Sequence, residues 1–88
     1  MPTVTVDVIH PNGIDCARDV KLPTDKPSSR VARRLAELMK IGQAQDERAT
    51  CEFLHKHTGR KLAPNETLEQ GGVKDGDTLK LLITGSAG

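Results

Sequence analysis

Aromatic side chains are nearly absent from this sequence: it has no tryptophan and no tyrosine, and Phe53 is its one phenylalanine. Proteins that hold single strands of nucleic acid do so largely by stacking bases on aromatic rings, so that mode is excluded. An excess of one charge is missing too. Thirteen basic and 12 acidic side chains leave a formal net charge of +1, which removes the broad positive field of a dedicated nucleic-acid binder. Cysteine is limited to Cys16 and Cys51, too few for a disulfide-built scaffold and without the paired spacing of a zinc site. Both are expected as small buried apolar residues. No apolar run approaches the ~20 residues of a spanning helix. The opening "MPTVTVDVIH" carries neither a basic leader nor an apolar signal core. No membrane association and a cytoplasmic location are therefore expected.

What is present reads as one α+β domain. In "TVTVDVI", Val4, Val6 and Val8 alternate with Thr3, Thr5 and Asp7, the period of a half-buried strand. Asn12-Gly13 tolerates the positive backbone angles of a tight turn, so "IDCARDVKL" should return antiparallel. Pro23 and Pro27 then break the strand, and Ser28 or Ser29 is available to cap a helix. In "SSRVARRLAELMKIG" the residues Val31, Leu35 and Leu38 form an apolar stripe widened by Ala32 and Met39. Arg30, Arg33, Glu37 and Lys40 fall on the other side, Arg33 and Glu37 are spaced as a pair, and Gly42 is the expected stop.

A third strand is expected in "ATCEFLHKH", with Ala49, Cys51 and Phe53 on one face and Thr50, Glu52 and Leu54 on the other. "HTGRKL" predicts a turn at Gly59 and a short fourth strand around Leu62. The Gly- and Pro-rich "PNETLEQGGVKDGD" predicts a structured loop anchored by Leu68 and Val73. "TLKLLI" closes the body with Leu79, Leu81 and Ile83 opposed to Lys80 and Leu82. A last strand this apolar belongs at the sheet centre, beside the first and parallel to it, with the helix laid across one face.

Taken together, the first strand with its Gly13 turn, "HTGRKL", "ETLEQGGVKDGDTLKLLI" and a short tail ending in glycine resemble the ubiquitin-like β-grasp family over Val4 to Gly88. "NG", "VKLPTDKPSSRVARRL" and "GDTL" are also similar to the YukD-type ubiquitin-like proteins of bacteria. The resemblance implies a mixed four- to five-stranded sheet with one helix packed across it, residues 1–83 forming the domain and 84–88 a flexible tail. It further implies a bacterial protein modifier that is not itself an enzyme. The Gly88 carboxylate would be adenylated by an activating enzyme using ATP, passed to a conjugating enzyme, and joined to target proteins by an isopeptide bond, after trimming by a processing protease. Gly85, Ser86, Ala87 and Gly88 form that terminus, with Ala87 where ubiquitin has a glycine. Small residues suit passage through a partner's narrow cleft. The alternatives are a non-covalent interaction module of the secretion-associated YukD type and a sulfur carrier using a terminal thiocarboxylate.

Ile9, Pro11, Leu54 and Leu82, bounded by Lys56 and Lys80, occupy positions resembling ubiquitin's apolar docking patch, and a charge-rimmed apolar patch suits protein contact. A monomer is expected. His55 and His57, with His10 as a conceivable third ligand, are expected to be solvated strand-end residues rather than a metal site, and no cofactor is expected. Arg30, Arg33 and Arg34 are expected to form a solvated helix flank.

Overall fold

The computed structural model describes residues 2–41 and 49–84. Strand β1 (Thr3–Ile9) pairs antiparallel with β2 (Cys16–Pro23), and helix α1 (Ser28–Leu38) follows. Then come β3 (Thr50–His55), the two-residue β4 (Arg60–Lys61), and β5 (Thr78–Thr84). The sheet order is β2-β1-β5-β3-β4. β5 runs parallel to β1 and antiparallel to β3, so the last strand lies centrally as its composition predicts. It also extends through Thr84, which pairs with Thr50, although the sequence reading places Thr84 in the tail.

One face of the sheet collects Val4, Val6, Val8, Phe53, Leu79 and Leu81, all buried against Val31, Ala32, Leu35 and Ala36 of the helix. Cys51 lies in this core, and burial pushes its thiol upward. Cys16 does not. It is exposed because it pairs with Ile9 on the opposite face of the sheet, correcting the expectation of two buried cysteines. Leu38 departs from the predicted stripe as well, being 65% exposed where the helix runs out beyond the sheet.

The first turn is longer than the two-residue hairpin its Asn-Gly pair suggests. His10 N–H donates to the Asp15 carbonyl at 2.8 Å, and the Asn12 side-chain oxygen accepts from the backbone N–H of Ile14 and Asp15. Gly13 and Gly59 both take positive φ, as their turns require. Between Val6 and Val8 the register slips, so that Arg18 and Asp19 face Asp7. Asp19 takes φ 55° there, and its N–H donates to the Asp7 carboxylate at 3.1 Å, the arrangement of a β-bulge.

Both helix ends are solved differently from the sequence expectation. Pro27 is the N-cap, with no side-chain cap. Ser28 and Ser29 instead donate their backbone N–H groups to the carbonyls of Glu66 and Pro64. Their hydroxyls donate to Ala63 and Pro64. A neighbouring loop therefore satisfies the open amides of the first turn. At the other end Ile41 N–H reaches the Ala36 carbonyl and Lys40 N–H the Glu37 carbonyl, with Lys40 left-handed at φ 58°. This is a Schellman closure with lysine where glycine is usual; Gly42, the expected stop, lies outside the described residues.

The segment from Pro64 to Asp77 is ordered by its own polar side chains. Thr67 and Gln70 exchange reciprocal side-chain-to-backbone hydrogen bonds, while Leu68 and Val73 are buried as anchors. Arg60 grips Glu66 through two hydrogen bonds. That pairing, with the Ala63 N–H, holds the Glu66 carboxyl below the usual carboxylate range.

His55 is the main surprise of the fold. It is 3% exposed, because it continues the inward parity of Cys51 and Phe53, and the expectation of a solvated histidine is corrected. Its Nε2 lies 2.8 Å from Asp77 Oδ2, while Nδ1 is buried without a hydrogen-bond partner among the described residues. The same Asp77 oxygen accepts from Lys74 N–H at 3.0 Å, and Asp7 N–H donates to the Asp77 carbonyl. Asp77 thus latches the entry of β5 to both of its neighbours. The Lys74 N–H first, opposed by partial burial and then aided by His55, holds its carboxyl below the ordinary value.

Two outcomes follow from these contacts. Lys40→Gly should raise stability by about 0.5–1 kcal/mol, by relieving the left-handed strain; a lower midpoint in urea unfolding followed by circular dichroism would contradict this. Asp77→Ala should cost about 1–3 kcal/mol, because it strips a buried histidine of its partner. A carboxylate with a lowered folded-state pKa stabilises above its unfolded value, and that contribution is lost as pH falls through the folded value. The wild-type melting temperature should therefore drop below about pH 4, and Asp77→Asn should flatten that drop, Glu66 supplying what slope remains.

Candidate functional site

The face of the sheet turned away from the helix is built by the outward positions of five strands. Register places Ile9 beside Lys80, and Lys80 beside Leu54. Cys16 adjoins Ile9 on the β2 side, and Lys61 adjoins Leu54 on the β4 side. These residues form one row across the sheet, since register partners share a face. A second row pairs Leu82 with Glu52. The sequence-predicted residues Ile9, Leu54, Lys80 and Leu82 are therefore brought together, each half-buried.

Pro11 and Lys56 flank the rows. Pro11 is half-buried in the β1–β2 turn. Lys56 is exposed immediately after β3, its backbone N–H tied to the Thr78 carbonyl at 3.0 Å. The ammonium of Lys80 extends over the same turn, 3.9 Å from where a side chain on Gly13 would begin. Lys80 thus lies between Ile9 and Leu54 rather than at the boundary that the resemblance implies for it, and Lys56 follows β3.

Two residues of this surface went unassigned in the sequence reading. Glu52 and Lys61 face each other at 3.7 Å beside Leu54 and Leu82, giving the patch an acidic element and a third cation. The signal for Glu52 was available, because it shares strand parity with Leu54. Lys61 joins only through the β3–β4 pairing, which a two-residue strand conceals. The salt bridge is partly exposed and worth little to stability, but it gives the surface a definite pattern of charge.

The histidines do not assemble a metal site. Nε2 of His55 is taken up by Asp77, the rings of His55 and His57 stand 6.1 Å apart at their centres, and among the described residues no three metal-ligating side chains converge. Arg30 and Arg34 are exposed on the helix flank, with Arg34 3.7 Å from Glu37. Arg33 donates to the Ala49 carbonyl, tying the helix to the start of β3. The candidate terminus, Gly85, Ser86, Ala87 and Gly88, lies outside the described residues. No helix among the described residues is long and apolar enough to cross a membrane.

The described residues of this face offer apolar and charged side chains at close spacing. Among solved structures the EccD5 ubiquitin-like domain from Mycobacterium xenopi is similar, at 19% identity and a TM-score of 0.73 over 99% of this chain and 100% of that one. Caldiarchaeum subterraneum ubiquitin is similar at 20% identity and a TM-score of 0.69, over 99% and 100%. The C-terminal ubiquitin-like domain of mouse tubulin-specific chaperone e matches at 18% identity and a TM-score of 0.64, over 98% and 91%. At such identities the likeness establishes the ubiquitin-like β-grasp fold alone. No curated protein sequence matches the chain. A family model does, and it is described as protein YukD of the WXG100 protein secretion system. It spans residues 3–81, both sheet faces and the helix included, and the chain therefore belongs to the YukD family of ubiquitin-like proteins.

Proposed function

We propose that this protein is a non-covalent docking module. On this reading the outer sheet face, centred on Ile9, Leu54, Leu82 and Lys80 with Lys56 at its margin, binds a protein component of a WXG100-type secretion apparatus. The observation that supports it most is the membership of the YukD family together with Ile9 and Leu54 held in register on either side of Lys80, and Leu82 in the next row, across β1, β5 and β3. A patch of this kind binds through a few desolvated apolar anchors, while its charged margin sets orientation and rate.

The covalent-modifier and sulfur-carrier readings both depend on the carboxylate of Gly88, whereas docking depends on the sheet. The two are separable in one experiment. Purified protein is mixed with the cytosolic domains of WXG100-type secretion components, and affinity is measured by calorimetry for wild type, Leu54→Glu, Leu82→Glu and a chain lacking residues 85–88. Burying a charge in an apolar contact should weaken binding by about 2 kcal/mol or more, some thirtyfold, whereas the truncation should bind as wild type does.

Loss of binding on truncation, or unchanged binding by both charged variants, would overturn the docking reading. Mass spectrometry of the protein recovered from cells adds a second check. A covalent adduct lost with Gly88 would establish the modifier, and replacement of a terminal oxygen by sulfur would establish the carrier. Unmodified protein is the expected result.

A further inference from the structure

On the helix side of the sheet, a groove of about 290 Å³ lies between β2 and the exposed flank of α1. Leu22 and Leu35 are buried in it and Val20 is half-buried, but Leu38 stands 65% exposed at its helix end. Four cations surround these side chains. Lys21 and Lys26 line the groove from β2 and the segment after it, Arg30 and Arg34 line it from the helix, and all four are exposed. No acidic residue lines it. Arg34 shares its charge with Glu37 at 3.7 Å, while Lys21, Lys26 and Arg30 have no carboxylate ion-pair partner among the described residues. In a chain whose net charge is only +1, this is a local concentration.

Helical spacing arranges this flank. Arg30, Arg34 and Leu38 recur at every fourth position of α1, so they share one stripe of the helix. A solvated flank accounts for the two arginines, but not for a leucine held in water at the end of their row. A projecting apolar side chain among long cations is the pattern of a surface that lies against lipid. The leucine enters between headgroups, while Lys and Arg lay their apolar stems along it and keep their charges at the phosphates. Attachment of this kind needs no spanning helix, and none is present among the described residues.

We propose that this flank seats the domain on an anionic lipid bilayer, with Leu38 entering the headgroup layer and Lys21, Lys26, Arg30 and Arg34 meeting lipid phosphates. Each cation near such a surface changes the affinity about fivefold, so the four act together where one alone would not hold. The way the charges are held favours lipid over a segment of protein. All four stand on exposed, rotatable stems, with no buried donor to fix one carboxylate in one place, and a layer of headgroup phosphates demands no such register. Nucleic acid, the other polyanion, has no apolar layer to receive Leu38. Ile9, Leu54 and Leu82 lie on the opposite face of the sheet, so a domain seated in this way keeps that face turned from the membrane and open to a protein partner.

The test sediments the full chain with vesicles of phosphatidylglycerol and phosphatidylcholine in equal parts, and with vesicles of phosphatidylcholine alone. Binding is expected to the mixed vesicles only, fading as salt rises from about 0.1 to 1 M and the screening length falls from about 10 to 3 Å. Arg30→Glu with Arg34→Glu should weaken it about thirtyfold or more, and Leu38→Ala severalfold. Lys56→Glu with Lys80→Glu makes the same change of net charge on the opposite face and should leave lipid binding as it was. Circular dichroism checks that each variant is folded. Leu38→Trp gives a direct reading: the chain has no tryptophan of its own, so emission reports this position alone and should shift to the blue on adding mixed vesicles. No sedimentation, equal sedimentation of the arginine pair, or emission that does not move would overturn the proposal. So would release from the vesicles by free glycerol phosphate, which makes a soluble phosphate the ligand, or a complex with a polyglutamate peptide in place of vesicle binding, which makes it an acidic protein.

Discussion

The parallel pairing of β1 with β5 is the constraint on which the rest of the molecule depends. It joins the first and last strands of the described chain through Asp7–Thr78, Val8–Leu79 and Ile9–Lys80. Each strand has another neighbour, β2 for β1 and β3 for β5, but this pairing is what joins the two halves of the described sheet. Once it forms, Leu79 and Leu81 lie at the sheet centre under the helix, while Lys80 and Leu82 are turned to the outer face beside Ile9 and Leu54. The core and the candidate contact surface are thus two sides of one strand. Such contacts are far apart in sequence, and closing so long a loop costs chain entropy that local elements cannot recover alone.

That cost explains why so much polar structure gathers around the entry to β5. Asp77 holds His55 and the Lys74 N–H through one carboxylate oxygen and Asp7 through its carbonyl. Asp75 accepts from Thr5 N–H, and Gly76 N–H reaches the Thr5 carbonyl. The connector from Pro64 to Asp77 has no regular structure, yet it fixes two things at once: the start of β5 at one end, and the open amides of the helix at the other, through the carbonyls of Pro64 and Glu66. Leu68 and Val73 sink into the core between them. Buried polar groups are acceptable here because most are partnered; the exception, Nδ1 of His55, sits where the latch is tightest.

Membership of the YukD family and the geometry of the sheet converge on protein recognition. The same small body carries two surfaces of different character. The outer face sets Ile9 and Leu54 on either side of Lys80, with Leu82 in the next row and a Glu52–Lys61 pair beside it. The β2–α1 groove is narrower, more basic and bounded by a free strand edge. A domain with a thin core can carry both, because the described sheet has a face turned away from the helix and β2 stands at its end.

Alternating valines, the helical stripe and the apolar "TLKLLI" let the sequence by itself determine the order of elements, the inward face of each long strand and the central place of the last one. Periodicity is a local property that side-chain type encodes directly, and Val4, Val6, Val8, Phe53, Leu79 and Leu81 are buried as it requires. What only the tertiary structure decided are the contacts made across the chain. Cys16 is outward because a bulge and a long turn set its register against Ile9. His55 shares the inward parity of Phe53, but the polar partner of its ring is Asp77, 22 residues away. Lys61 reaches the contact surface through a strand too short to show a period, and the groove exists only where an edge strand and a helix flank happen to face each other. Local pattern can say which side of an element is apolar; which polar group meets which, and what space is left open between elements, depends on the packing of segments distant in sequence.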